Sequence, residues 1–494
     1  MRKVSYIVSA LILAGCGGGG DSPAPAPTVS IQSNPPPATP PPTTTVEKPY
    51  FSEVSNPLTV KLPFANTMAT NVSTLDVNGD NRLDLVVHYY EGNFNNQKNV
   101  TTHCKNELRV YILQPDNTFA EQTSAYVTNG NDLGGCSRKT KKADINGDGK
   151  IDLVYAINQE DGRDQSNVSL IQGPLAALVS VGNTYVIRKF NFPRWYHSVG
   201  VGVDDKGRSF VTGAGYTYAP YDAEFVFDSQ GNQTEISLDI PKLSANSFEL
   251  YNLSGSKTKE TDILVHSGFE GNPIVIQAWV KKNGAWTKLP DHNPYGDVIG
   301  KFSDSDFYIH KLNGQTIAAA AISETCVTKI NPNDEPIVIH KMHYQVVKNF
   351  VNGMPMGNSI DIPSSLYRGT RIENNKIVEV DLNIKDEIRD NVNINFFSCI
   401  DVNNDGYNDI VSYQYSNTGL PDVYINNKDN SFKNIGQKMF PNTYKQEFGN
   451  IYSSILEDFD NDGFADLFVW HANGTTAAEP VKFRFYKGQK KITD

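Results

Sequence analysis

Four stretches of this chain repeat one nine-position pattern of oxygen-bearing side chains, and each runs straight into a short apolar segment. They are Asp76-Val-Asn78-Gly-Asp80-Asn-Arg82-Leu-Asp84, Asp144-Ile-Asn146-Gly-Asp148-Gly-Lys150-Ile-Asp152, Asp401-Val-Asn403-Asn-Asp405-Gly-Tyr407-Asn-Asp409 and Asp458-Phe-Asp460-Asn-Asp462-Gly-Phe464-Ala-Asp466. Side-chain oxygens at positions 1, 3, 5 and 9, with the main-chain carbonyl at position 7 (Arg82, Lys150, Tyr407, Phe464), make the cage that a hard cation of calcium size takes. Asp, Asn and Gly are also ordinary turn formers. Four copies with the same ninth-position Asp, however, crowd carboxylates that would repel one another without a cation. The expected cofactor is therefore calcium, about four ions in all.

An EF-hand loop shares the opening spacing but needs a bidentate Glu at position 12 and flanking helices. Position 12 here is Val87, Tyr155, Ser412 and Val469. The segments after the loops, such as Leu85-Val-Val and Leu467-Phe-Val, are β-branched and aromatic, which reads as strand. Each site is then a β-hairpin loop. No His accompanies the carboxylates, which points to a structural rather than a catalytic ion.

On these loops the chain resembles the FG-GAP or VCBS repeat family, to which the integrin alpha-chain head is similar. The resemblance implies an all-β, seven-bladed β-propeller. A second repeated signal is an apolar residue followed by Pro at candidate blade ends: Phe192-Pro193, Ile240-Pro241, Leu289-Pro290, Ile362-Pro363 and Phe440-Pro441. Proline cannot donate to a ladder and suits an outer strand or its end. Degenerate copies of the loop fall near Asp204-Asp205-Lys206-Gly207, near Leu253 with Asp262, and near Leu312-Asn-Gly. With the intact loops they make seven, at roughly 60 residues per blade against the ~40 to 50 of compact propeller repeats. Leu58 to Leu62 matches an outer strand and is expected to complete the last blade, which hides a sheet edge and closes the ring.

Arg2 and Lys3 precede an apolar stretch from Val4 to Leu13, too short to span a bilayer but suited to a signal peptide. Leu13-Ala14-Gly15-Cys16 resembles the bacterial lipoprotein cleavage box, which implies lipidation of Cys16. With Gly17 following, sorting to the outer membrane is expected, and the membrane is reached through the lipid only. The organisation is then a signal peptide over 1–15, a lipidated Gly/Pro-rich tether over 16–49 and a propeller over 50–494. Polyproline-like sequence in the tether gives ~3 Å of reach per residue. The formal charge of −11 makes nucleic acid a poor partner. Apart from Cys16 there are four cysteines in a disulfide-permissive compartment, and Cys104 with Cys136 and Cys326 with Cys399 is the preferred pairing.

No zinc-protease helix, nucleophile elbow or phosphate loop is present. His88, His266 and His471 follow the loops at similar strand positions and read as repeated packing residues. If the family layout holds, the face opposite the loops carries Trp195, Tyr196, Tyr216, Tyr218, Tyr367, Arg368 and Trp470, side chains of the kind that anchor proteins and stack on sugars. The expected function is that of a calcium-stabilised surface lipoprotein, for adhesion or as an envelope-assembly accessory, binding a protein or glycan. The alternative is a polysaccharide lyase or hydrolase on the same scaffold, which needs a carboxylate pair or a basic residue converging in a cleft.

Overall fold

A computed structural model describes the chain from Pro49 to Ile492, apart from connections within it, chiefly residues 92–104, 158–172, 191–195, 216–222, 242–246, 254–259, 268–274, 302–307, 385–392, 416–421, 440–452 and 471–482. The signal and lipidation segments expected at the start lie outside the described residues.

Antiparallel strands are sorted into seven principal sheets that follow one another along the chain. Blade 1 is Thr67–Leu75, Asp84–Glu91, Asn106–Leu113 and Phe119–Glu121; blade 2 is Ser137–Ala143, Asp152–Ile157, Leu175–Val181 and Thr184–Lys189. Blade 3 is Tyr196–Val203, Ser209–Gly215, Glu224–Phe227 and Gln233–Ile236; blade 4 is Phe248–Tyr251, Ile263–Ser267, Ile276–Lys282 and Ala285–Lys288. In blade 5 the strands Gln315–Thr328, Ile337–Val347, Ile360–Glu373 and Lys376–Val380 are extended by Val298–Lys301 and Tyr308–Leu312 into six. Blade 6 is Asn393–Ile400, Asp409–Tyr415, Asp422–Asn426 and Phe432–Asn434. Blade 7 takes Ser453–Glu457, Asp466–Trp470 and Phe483–Gly488 from the end of the chain and Phe51–Val54 from its beginning. The protein is an all-β, seven-bladed propeller.

Strand periodicity explains why the second strands read as unbroken apolar runs. Successive side chains point to opposite faces, and in a ring of sheets both faces are covered. In blade 1, Leu85, Val87 and Tyr89 pack against Phe468 and Phe485 of blade 7, while Val86 joins Leu153 and Leu178 of blade 2. Among the described residues the buried apolar side chains form seven clusters, and each fills the seam between two neighbouring blades. The seam between blades 7 and 1 is the most aromatic. There the Phe119 ring meets Phe459, Phe468 and Phe485 edge-on at 6.1, 5.8 and 5.3 Å between centroids.

Several expectations are corrected in detail. The strand that joins the last blade is Phe51–Val54, paired with Phe485–Gly488, and not Leu58 to Leu62; Leu58 instead bridges Phe119 of blade 1, and residues 59–62 lie outside the described residues. Leu312 pairs with Gln315 in the hairpin that extends blade 5, and residues 313 and 314 lie outside the described residues. The position equivalent to the loops falls at Asn331 to Glu335, between Thr328 and Ile337. Pro363 sits inside the third strand of blade 5, opposite Gln345, next to a register shift where its missing N–H breaks little of the ladder.

Cys326 and Cys399 are bonded, 5.9 Å apart at Cα, and join the inner strands of blades 5 and 6. Cys136 is also disulfide-bonded, and Cys104 lies outside the described residues. His88 is a packing residue as read: its ring is buried, with Nδ1 at 2.7 Å from Ser137 Oγ and Nε2 at 3.3 Å from Asn106 Oδ1. Because the blade 7 and blade 1 seam depends on Phe119, truncating it to alanine is expected to cost about 3–5 kcal/mol. Urea denaturation of the variant against the parent measures this.

Candidate metal centres

In all four intact loops the backbone is left-handed at positions 4 and 6: Gly79 and Asn81, Gly147 and Gly149, Asn404 and Gly406, Asn461 and Gly463, with φ between 56° and 88°. Only Gly and Asn adopt that region cheaply, which is why no other residue stands there. The curl turns amides inward. Asp76 accepts from the N–H groups of Gly79, Asp80 and Asn81 at 2.7, 3.0 and 2.9 Å, and Asp401 accepts from Asp405 and Gly406 at 3.1 and 2.7 Å. At position 5, Asp80, Asp148, Asp405 and Asp462 each accept from the N–H of position 7 at 2.9 Å.

The ninth-position carboxylates do more than the sequence reading assigned to them. Asp84, Asp152, Asp409 and Asp466 are fully buried. One oxygen of each accepts from the N–H of loop position 2, namely Val77, Ile145, Val402 and Phe459, at 2.9 to 3.1 Å. The other accepts from the third strand, at Leu113, Ser180, Asn426 and Gly488, at 2.7 to 2.9 Å. Each Asp thus ties its loop to a strand that the loop does not border. Burial raises these carboxyls to about 6 in Asp84 and Asp152 and to about 7 in Asp409 and Asp466, with the backbone donors opposing the rise.

The donor set fits a cation. Asp458, Asp460 and Asp462 bring one oxygen each to within 4.8 Å of one another, the spread allowed to ligands that share one ion at about 2.4 Å. The loops also touch from blade to blade. Leu83 donates to the Phe459 carbonyl at 2.7 Å, Ser209 Oγ to Asp144 at 2.8 Å, Thr261 to Val203 at 2.8 Å and Asn426 Nδ2 to Ile330 at 2.9 Å. These contacts place the loops at one end of the ring. In blade 3 the degenerate loop supplies its own cation, with the Arg208 guanidinium 2.7 Å from Asp204.

Of the residues expected to form an aromatic binding face, three are not exposed. Tyr196, Tyr367 and Trp470 are buried in seams between blades rather than exposed, because alternate residues of these strands face a neighbouring sheet. Trp195, Tyr216 and Tyr218 lie outside the described residues. Arg368 is half-buried, with Nε lacking a hydrogen-bond partner.

Sequence reasoning missed a polar cavity of about 180 Å³ on the ring axis, lined from every blade by Thr74, Lys142, Ser198, Ser247, Thr325, Ser398 and Ser454. One inner strand, Ser137–Ala143, crosses it with three ion pairs: Lys139 to Glu324 of blade 5 at 3.1 Å, Lys141 to Glu249 of blade 4 at 2.7 Å, and Lys142 to Glu457 of blade 7 at 3.2 Å. The signal was available, since Ser-Arg-Lys-Thr-Lys-Lys-Ala is far too basic for a strand enclosed by other sheets.

A model of the FG-GAP-like repeat matches residues 76–155 and 401–469. No curated protein matches the chain. Solved structures with a similar strand arrangement include an exotype rhamnogalacturonan lyase, at 13% identity over 85% of this chain and 72% of that one, with a TM-score of 0.39. A polysaccharide lyase follows at 8% identity over 85% and 90%, TM-score 0.37, and a rhamnogalacturonan lyase of Bacillus licheniformis at 13% over 77% and 76%, TM-score 0.33.

A raised carboxyl pKa means that the folded, calcium-free protein holds protons that the unfolded chain has lost above its value near 3.8, so this contribution falls as pH rises towards 7. With chelator, the stability gap between the parent and Asp409→Asn should narrow from pH 5 to pH 8. With calcium it should widen, because the ion requires the ionised carboxylate. Melting temperatures in both buffers check the two signs.

Proposed function

We propose that this seven-bladed propeller of FG-GAP-like repeats is a calcium-stiffened binding protein, held on the bacterial outer membrane by lipid at Cys16 and presenting the ring to a protein or glycan. The observation that carries this reading is the repeated loop geometry: curled backbone and a buried carboxylate tied to the third strand in each of four blades, with three carboxylate oxygens converging in blade 7. Such loops act on the scaffold. Calcium bound there supplies charge compensation among the carboxylates, and it stabilises the folded state in proportion to occupancy.

In this reading the partner meets the end of the ring away from the loops, and Pro-rich sequence ahead of Pro49 would supply reach of ~3 Å per residue from the bilayer. A second reading, a carbohydrate-active enzyme, is favoured by the axial cavity, where lysines and glutamates from several blades meet. For proton transfer there, a substrate must first break a Lys–Glu pair. Assay of the purified protein on a panel of polysaccharides, repeated with Glu457→Gln, separates the two readings. Turnover abolished by that change supports the enzyme, and glycan or protein binding without turnover supports the binding protein.

Asp148→Ala should lower calcium stoichiometry by one and reduce the melting temperature in calcium, while leaving partner binding unchanged. Calorimetric titration and a binding assay on the same preparation measure the three quantities.

A further inference from the structure

The third strands of the four loop-bearing blades align through the N–H that meets the ninth-position Asp: Leu113, Ser180, Asn426 and Gly488. The residue just before it is apolar and buried in three of them, as Ile112, Val179 and Ile425. In blade 7 it is Lys487. Its ammonium reaches into the loop and pairs with Asp460, with Asp462 Oδ2 at 2.8 Å and with Asp466 Oδ1 at 3.4 Å, its side chain only 13% exposed.

The other loops lack such a plug. In blade 6, Lys428 is 3.1 Å from Asp405 and 4.6 Å from the Tyr407 ring centroid, and its side chain is 44% exposed. In blade 1, Arg82 approaches Asp80 at 3.7 Å. In blade 2 the place is taken by a neutral donor, the Ser180 hydroxyl, at 2.9 Å from Asp148 and 2.8 Å from Asp152.

We propose that blade 7 carries a lysine-closed cation site, in which Lys487 is the resident positive charge and a divalent ion enters only by expelling it. This rests on the reading of the loops as calcium sites. An ammonium among three carboxylates already supplies the compensation an ion would bring, and the two cannot share one cage. Apparent affinity is lowered by the fraction of molecules in which the lysine is displaced. The protein therefore loads three calcium ions tightly and a fourth at least about tenfold more weakly. The blade that joins the two ends of the described chain stays charge-compensated when calcium is removed.

Calorimetric titration of the intact protein with calcium should give three tight sites, and Lys487→Met or Lys487→Gln should give four. A readout on the unaltered protein is acylation of Lys487 by an amine-reactive ester, followed by mass spectrometry. Labelling should be low in chelator and rise several-fold in millimolar calcium. Four equivalent tight sites in the parent, or labelling of Lys487 indifferent to calcium while the other loops bind it, overturns the lysine-closed site and leaves the calcium reading standing. No calcium binding by parent or variants overturns both.

Discussion

A buried carboxylate at the head of the second strand holds each loop-bearing blade together. A polar group at that depth is tolerable only where donors meet it; here two backbone N–H groups, one from the loop and one from the third strand, satisfy both carboxyl oxygens and oppose the rise in pKa that burial imposes. The same contacts decide the loop's shape. With positions 2 and 9 locked together, the six residues between them must turn within one strand spacing, and the two left-handed positions and the inward amides follow from that closure. The inward-facing oxygens are thus a by-product of a hydrogen-bonded turn. The turn is formed by protein atoms alone.

The loops and the strands behind them were legible because both follow from local rules: a spacing of oxygens, Gly or Asn where the backbone is left-handed, and apolar runs where a sheet is covered on both sides. Seven blades could be counted from the same signals. The blade 5 loop was misplaced because Leu312-Asn-Gly is as good a turn sequence as the loop itself, and only the pairing of Gln315–Thr328 with both Tyr308–Leu312 and Ile337–Val347 shows that the first hairpin is an extension. The burial of Tyr196, Tyr367 and Trp470 was missed for a related reason: each follows an apolar neighbour, Trp195, Leu366 or Val469, and only the packing of the ring shows that both sides of their sheets face other sheets. The ion pairs of the axis join residues from 108 to 315 positions apart, so no window along the sequence contains them.

Charge is distributed unevenly round the ring. Blades 1 and 2 and blades 6 and 7 keep their acidic loops, and these are the stretches that match the FG-GAP-like repeat. Blade 3 has turned to an internal guanidinium, and blade 5 to Asn331 and Asp334 bonded to each other at 2.7 Å. The inner strand of blade 2 answers from the other side of its sheet by sending lysines across the axis to blades 4, 5 and 7. Blades 4 and 7 are thereby linked through one strand, and the ring is braced across its diameter as well as around its rim.

The pairing of Phe51–Val54 with Phe485–Gly488 also has a mechanical meaning. Any pull on the chain ahead of Pro49 meets this edge strand first, backed by the Gln489 amide on the Tyr50 carbonyl at 2.7 Å and by Lys490 over the Tyr50 ring at 4.1 Å. Tyr50 and Phe51 are in turn wedged between blades 6 and 7. Force on the leading segment is therefore borne by a clasp made from residues of both termini, and if the clasp slips, the circle is cut at one place while six blades keep their own strands.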